Sequence, residues 1–257
     1  MNDERLIAFE RLLTIMDELR EQCPWDREQT IETLRHLTIE ETYELSDAIL
    51  NNDMEEIKKE LGDVLLHIVF YAKIGQEKGA FDITSVINQL CEKLIVRHPH
   101  IYGDVKVTGS EEVKQNWEQI KQKESNGTKS LLAGVPNSMP SLVKAYRMQE
   151  KAAQVGFDWN TKEQVWGKVE EELQEFKEEL GTENAKGEFG DVLFALVNYA
   201  RFEGINPDDA LEMTNKKFKA RFEYIELKAK AQGKNMKDMT LAEMDAIWNE
   251  AKTFEKN

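Results

Sequence analysis

Residues 40–72 read EETYELSDAILNNDMEEIKKELGDVLLHIVFYA. The stretch opens on Glu40-Glu41-Thr42-Tyr43-Glu44, breaks at Asn51-Asn52-Asp53, and resumes with Glu60-Leu61-Gly62-Asp63 before the apolar run Val64–Ala72. On a helix, side chains three or four residues apart share a face. Glu41 with Glu44, and Glu60 with Asp63, therefore form two carboxylate pairs on two helices joined by a turn. The same series returns at 171–200: Glu171-Glu172-Leu173-Gln174-Glu175, a turn at Gly181-Thr182, Glu188-Phe189-Gly190-Asp191, then Val192–Ala200. Fifteen residues separate Glu44 from Glu60 and twelve separate Glu175 from Glu188, so the first hairpin is expected to be slightly longer. Gly62 and Gly190 each cost about 1 kcal/mol against Ala inside a helix. Close approach of the facing helix is the expected reason for them.

Outward from these hairpins the periodicity stays helical. Residues 3–21 place Leu6, Phe9, Leu12, Leu13, Met16 and Leu19 on one stripe, and helices are expected over 31–50, 54–78 and 83–97, the last stopped before Pro99. A short helix is expected around Glu111–Lys123, and Tyr102–Thr108 is at most a brief extended piece. After the turn residues Ser125–Thr128 and the Pro-broken stretch to Pro140, helices are expected over 141–154, 162–180, 207–232 and 241–251, with one carrying Asp191 between the middle two. The fold class is all-α. Self-similarity on this scale predicts two tandem domains, 1–124 and 141–257, joined by a linker at 125–140. In each half a Lys/Arg pair (Lys93 and Arg97; Lys217 and Arg221) and a late Trp (Trp117; Trp248) follow the acids.

Clustered carboxylates repel one another unless a cation compensates. A donor set of oxygens without His or Cys suits Mg²⁺, Mn²⁺ or Ca²⁺ rather than zinc. Two such sites are expected: Glu172, Glu175, Glu188 and Asp191 in the second half, and Glu41, Glu44, Glu60 and Asp63 in the first. Anionic phosphate chemistry also needs donors. Lys217 and Arg221, one turn apart, suit a phosphate clamp; an exposed basic face is the plainer alternative. Lys168 stands four residues before Glu172, where a simple salt bridge is equally expected. Trp248 suits base stacking or a core position. Asn198, seven residues after Asp191 in an apolar run where the first half has Phe70, is expected to line a pocket.

The net charge of −15 argues against direct nucleic-acid binding. No apolar run reaches membrane-spanning length, the N-terminus lacks a signal-peptide pattern, and two cysteines suggest no disulfide framework. A cytoplasmic setting fits. A di-iron bundle would use Glu-x-x-His on its helices, and none of the four histidines has Glu three residues before it.

The ordered motifs resemble the MazG family of nucleoside triphosphate pyrophosphohydrolases, within the all-α NTP pyrophosphatase superfamily. Cys23-Pro24-Trp25-Asp26, Arg97-His98-Pro99-His100, Leu131–Pro140, Lys151–Trp159 and Asn215-Lys216-Lys217-Phe218 carry the resemblance along almost the whole chain. It implies Mg²⁺-dependent hydrolysis of nucleoside triphosphates to monophosphate and pyrophosphate, with broad base tolerance and Mn²⁺ as a substitute ion. It implies Glu172, Glu175, Glu188 and Asp191 as catalytic metal ligands, and Glu171 as the acid that orients or deprotonates water. Lys168, Lys217, Arg221 and Trp248 match nucleotide-contacting positions. The family's Lys seven residues before the last acid is Asn184 here, with Lys186 nearby. The resemblance further implies a homodimer, a nucleotide-pool housecleaning role, and activity in the C-terminal half, the N-terminal half being weak or regulatory. The alternative function is a non-catalytic nucleotide- or metal-binding regulator.

Overall fold

The structure, a computed structural model, describes residues 3–110, 112, 113, 116, 117, 120 and 130–254. Among them every regular element is helical. The chain separates into two compact units, Met1–Lys121 and Gln122–Asn257.

In the first unit α1 (Glu4–Gln22) leads through the single-turn α2 (Pro24–Glu28) to α3 (Ile31–Leu50) and α4 (Met54–Glu77), followed by α5 (Ile83–Arg97) and α6 (Pro99–Tyr102). The helix starts are written in their caps. Thr30 and Thr33 form a reciprocal capping box for α3, and Asp82 and Ser85 do so for α5. The α3–α4 hairpin turns at Asn52, in the left-handed region at φ 53°, and Asp53 caps α4 by accepting from the Glu55 and Glu56 N–H groups. Met16, Leu34, Val69, Phe70 and Ile74 form the core, with Phe9, Leu12 and Leu13 packed against it. Leu6, expected on the same stripe, lies one turn beyond the packed part of α1 and is exposed.

The second unit opens with a 3-10 turn, Leu131–Gly134, inside the expected linker; it packs on α7 (Ser141–Ala153). The hairpin of α8 (Lys162–Glu178) and α9 (Ala185–Phe202) follows, then α10 (Pro207–Ala231), a 3-10 turn at Met236–Asp238, and α11 (Leu241–Phe254). Thr161 and Gln164 box the start of α8, and Asn206 with Pro207 opens α10. α7 packs against α9 and α10, while α10 and α11 close a second core around Ile225, Ala229, Met239 and Ile247.

The first hairpin is the longer one, as expected, through its helices: residues 51–53 join α3 to α4, whereas 179–184 join α8 to α9. Two expectations change. Cβ atoms at Gly62 and Gly190 would meet nothing within 4 Å, so no close helix approach explains either glycine; both stand on exposed helix faces. Residues 103–108 form bends and irregular backbone, not an extended strand. The expected helix at Glu111–Lys123 falls mostly, and the turn at Ser125–Thr128 wholly, outside the described residues.

Candidate metal and nucleotide site

Apolar packing of the α8–α9 hairpin sets the site. Val165 and Val169 on α8 and Val192, Ala195 and Val197 on α9 are buried, which fixes the rotation of both helices. Glu172, three residues after Val169, is carried into the interface and is 8% exposed. Glu188 and Asp191, on the first turns of α9, face it. One oxygen from each of Glu172, Glu188 and Asp191 lies within 4.8 Å of the others, a geometry that can hold a metal ion. Burial, then repulsion from Glu175, Asp191, Glu172 and Glu179, raises the Glu188 carboxyl above the usual range. Glu175 thus acts on the cluster electrostatically, but it lies outside the group of three and is exposed. It sits almost a full turn beyond Glu172, where α8 nears its end.

Lys168 Nζ bridges Glu171 and Glu172, at 2.7 Å to each. These hydrogen bonds raise its pKa and keep an ammonium beside the acids. Glu171 is exposed and held by that one contact.

Lys168, Glu172, Asp191 and Asn198 line a cavity of about 560 Å³, within the usual size for small-molecule sites. Its wall runs along α9 to Arg201 and is completed by α7 and by the Gly156–Trp159 loop. Asn198 Oδ1 accepts from Arg201 Nε at 3.1 Å and from Nη2 at 3.0 Å, while Nη2 also donates to Asp158 at 2.5 Å. Gln149 on α7 is 7% exposed; its Nε2 donates to the Phe194 carbonyl at 2.8 Å, and its Oε1 has no partner. Sequence reasoning gave Arg201, Asp158 and Gln149 no role. The available signal was Arg201's place one turn after Asn198, on the same face.

Lys217, Arg221 and Trp248 do not line this cavity. They belong to α10 and α11, where the Trp248 ring lies 5.2 Å from Phe218 and 5.2 Å from the Arg221 guanidinium carbon. Trp248 packs on the second core.

The first unit repeats the acid cluster, but the cavity beside it, about 280 Å³, is lined by Glu44, Asp47, Ala48, Asn51, Asp53, Glu56 and Glu60 and not by the residues that follow Asp63. Glu41, Glu60 and Asp63 bring oxygens within 4.8 Å, with Glu44 outside the group. Glu60 is 1% exposed; Oε1 accepts from Lys59 at 2.8 Å and Oε2 has no partner. Counting from the last acid, His67 and Phe70 replace Ala195 and Asn198. The His67 ring is buried and bonded to Thr38 at 2.7 Å, and Phe70 belongs to the core. Arg97 lies 5.6 Å from the Trp117 ring, matching Arg221 over Trp248.

Fold and site define a class: an all-α protein in which helical hairpins each present a carboxylate cluster of metal-binding geometry. The model of the MazG nucleotide pyrophosphohydrolase domain matches residues 29–102. The chain is 45% identical to the nucleoside triphosphate pyrophosphohydrolase/pyrophosphatase MazG of Thermotoga maritima, covering 96% of each. It is 41% identical to the nucleoside triphosphate pyrophosphohydrolase of Escherichia coli K12, over 96% of this chain and 98% of the relative. All of it also matches, at 47% identity, 54% of an uncharacterized Bacillus subtilis protein, YabN. The chain belongs to the MazG family. Among the described residues no helix is long and apolar enough to cross a membrane.

Proposed function

We propose that the protein hydrolyses nucleoside triphosphates to monophosphate and pyrophosphate by attack of water at the α-phosphorus, in its second unit. The observation that carries this reading is the cluster of Glu172, Glu188 and Asp191 on the wall of a cavity that also holds Lys168 and Asn198. The names of the full-length relatives support the substrate class. The residues fit a hard divalent ion: the donors are all oxygen and repel one another without it. Bound there, Mg²⁺ supplies neutralisation of the triphosphate and a more acidic water; Mn²⁺ is the expected substitute. Glu172, Glu188 and Asp191 would hold the ion, with Glu175 as a further ligand candidate whose charge already acts on Glu188. Glu171, exposed beside Lys168, accepts the proton of the attacking water. Lys168 offsets charge on the phosphates. Lys217 and Arg221, on α10 outside the cavity lining, are proposed as further phosphate contacts.

The first unit is proposed as a second cation site with little or no turnover. The buried, unpartnered Oε2 of Glu60 supports the ion, and His67 and Phe70 fill the space in which a nucleotide would lie. The resemblance between the units supports descent from a duplication, and exposed stripes at Leu61, Leu65 and Ile68, and at Phe189, Leu193 and Leu196, support a homodimer. Broad base use and housecleaning of a cytoplasmic nucleotide pool complete the reading. The test is pyrophosphate release from a panel of NTPs and dNTPs with Mg²⁺, comparing wild type with Asp191→Asn and Asp63→Asn. Loss in the first variant alone is expected; full turnover in Asp191→Asn overturns the assignment.

A further inference from the structure

The cavity of the first unit is a groove along the turn end of the α3–α4 hairpin, and no cationic residue lines it. Glu44 and Asp47 stand on α3, Asp53 at the turn, and Glu56 and Glu60 on α4. Residues equidistant from Asn52, such as Glu44 and Glu60, are level with each other across the antiparallel pair. Glu44 to Asn51, and Asp53 to Glu60, are each seven residues, so the acids run along about 10.5 Å of hairpin. Glu44, Asp53 and Glu56 are exposed. Glu60 is 1% exposed, lines the same groove, and has an Oε2 without a partner. A buried carboxylate oxygen without a donor costs stability, and the acids around it supply none. Lys59 Nζ lies 2.7 Å from Glu56 and 2.8 Å from Glu60 Oε1. One ammonium is thus already seated between these two carboxylates, and the negative charge of the groove exceeds it.

These acids are spread too widely to surround one metal ion. Among the described residues of this unit, only Glu41, Glu60 and Asp63 bring oxygens within 4.8 Å of one another. Glu44, Asp53 and Glu56 belong to no such group. Carboxylates strung along a groove suit a cation whose own charges are strung out. We infer that the groove binds a linear polyamine, with one terminal ammonium between Glu44 and Glu60 and the other toward Asp53 and Glu56. An extended triamine with spacers of three and four methylenes measures roughly 11 Å between its terminal nitrogens, from nine bonds of ordinary length. The same charge repels a triphosphate. The second unit differs at this place: Glu179, which takes the position of Ala48 counted from the acids of α8, accepts from Thr182 and Asn184 within its own turn. The inference does not depend on the reaction proposed for the second unit, and it shares only Glu60 with the ion cluster of the first.

Spermidine binding is measured by calorimetry on the full chain, at low salt and in chelator, for wild type, the double variant Glu44→Gln/Glu56→Gln, and Glu10→Gln. Both groove positions are exposed, so the melting temperature of the double variant stays close to wild type. The double variant is expected to weaken spermidine about tenfold, the scale of two partly exposed ion pairs. Glu10→Gln, on an exposed face of α1, changes its affinity by less than about twofold. 1,4-Diaminobutane, which spans less of the groove, binds more weakly than spermidine. Because Glu60 is shared, Mg²⁺ should weaken spermidine in wild type and lose that effect in Asp63→Asn, which still binds spermidine in chelator. An effect of Mg²⁺ that persists in Asp63→Asn would overturn the separation of groove from ion cluster. The groove itself is overturned by a wild-type Kd above about 1 mM, by unchanged affinity in the double variant, or by diamine binding as tight as spermidine. An equal loss in Glu10→Gln overturns it too, since that would mark general attraction to the net charge of −15.

Discussion

Replacing Glu172 by Gln tests the metal centre most directly. The side chain keeps its size at a position 8% exposed, and Lys168 keeps its 2.7 Å partner Glu171, so the fold loses little. An ion equidistant from three oxygens lying within 4.8 Å of one another sits about 2.8 Å or less from each. At an effective dielectric of about 20, a dication and one carboxylate at that distance attract by roughly 12 kcal/mol gross. Dehydration of the ion and the carboxylates offsets most of this, leaving a net worth of about 3 kcal/mol for one ligand charge, the scale of breaking a buried pair. That corresponds to roughly a hundredfold in Mg²⁺ affinity. Calorimetric Mg²⁺ titration of the full chain, and pyrophosphate release against Mg²⁺ concentration, should both shift by this factor for the second-unit site. The isosteric change at exposed Glu163 should shift neither. A half-saturating Mg²⁺ concentration within threefold of wild type in Glu172→Gln would refute the reasoning, because one carboxylate of the cluster would then be dispensable.

Glu188→Gln should raise the melting temperature of the metal-free protein at pH 7 while abolishing its rise with Mg²⁺. The folded carboxyl titrates above its ordinary value, through burial and four neighbouring acids. Its charged form therefore costs stability in the metal-free state at neutral pH, and the cost disappears as pH falls through the folded pKa toward the unfolded one. Thermal scans from pH 7 down to 4.5 in chelator should accordingly show the gap between wild type and variant closing. Asn198→Phe, which copies Phe70 into the second unit, should fill the cavity and remove the Arg201 acceptor. Nucleotide affinity should fall about a hundredfold, given the loss of a hydrogen-bonded polar contact and of space, while the Mg²⁺-dependent thermal shift survives; an unchanged KM would place the nucleotide elsewhere. Gln149→Leu removes one bond to the Phe194 carbonyl, worth about 1 kcal/mol, together with an unsatisfied acceptor that costs about 1–3 kcal/mol. Urea unfolding should find it neutral or more stable, and a loss above about 2 kcal/mol would show that Oε1 has a partner such as water.

The helices were legible because their ends are chemical. Reciprocal caps at Thr30/Thr33, Asp82/Ser85 and Thr161/Gln164, and Pro207 at a first turn, mark starts that need no tertiary information. The acid clusters were legible for a similar reason: turns at residues 51–53 and 179–184 fold each hairpin back on itself, and the buried valines fix the rotation. Membership of the cluster was less so. Spacing of three put Glu172 with Glu175, and Glu41 with Glu44, on one face each, but a face is wider than a coordination sphere. Only the acid next to the packed stripe, Glu172 or Glu41, meets the opposite pair. The cavity was the least legible part. It depends on where α7 and the Gly156–Trp159 loop rest against α9, contacts made across 43 to 45 residues of chain by Arg201 with Asp158 and by Gln149 with Phe194. No local pattern encodes them, and for the same reason α10 carries Lys217 and Arg221 somewhere the spacing could not foretell.

The two units share an acid cluster and differ in the wall beside it. Each hairpin buries one acid of its cluster, Glu60 on α4 at 1% exposure and Glu172 on α8 at 8%. The difference lies one and two turns beyond the last acid. Where the second unit has Ala195 and Asn198, a small side chain and a polar one leave space and a hydrogen-bond acceptor. Where the first has His67 and Phe70, larger rings take the volume and join the packing around Met16, Leu34 and Tyr71. Thr38, which stands where Val169 does, then gives His67 and Tyr71 their partners at 2.7 Å each. The Lys168 position is occupied by Leu37, which packs on the same core, so the donor that would face a phosphate is absent as well. Four differences on two adjacent helix faces replace an open wall by a packed one without touching the three carboxylates. Phe70→Asn alone would leave a buried amide among Met16, Leu34 and Val69, with the nearby cations already engaged: Lys73 with Asp17 at 2.6 Å, and Arg20, 5.5 Å from the Phe70 ring, with Glu77 and the Asp26 and Gln29 carbonyls. That single change should cost about 3 kcal/mol or more and confer no nucleotide binding on the first unit, whereas Asn198→Phe should by itself weaken binding in the second.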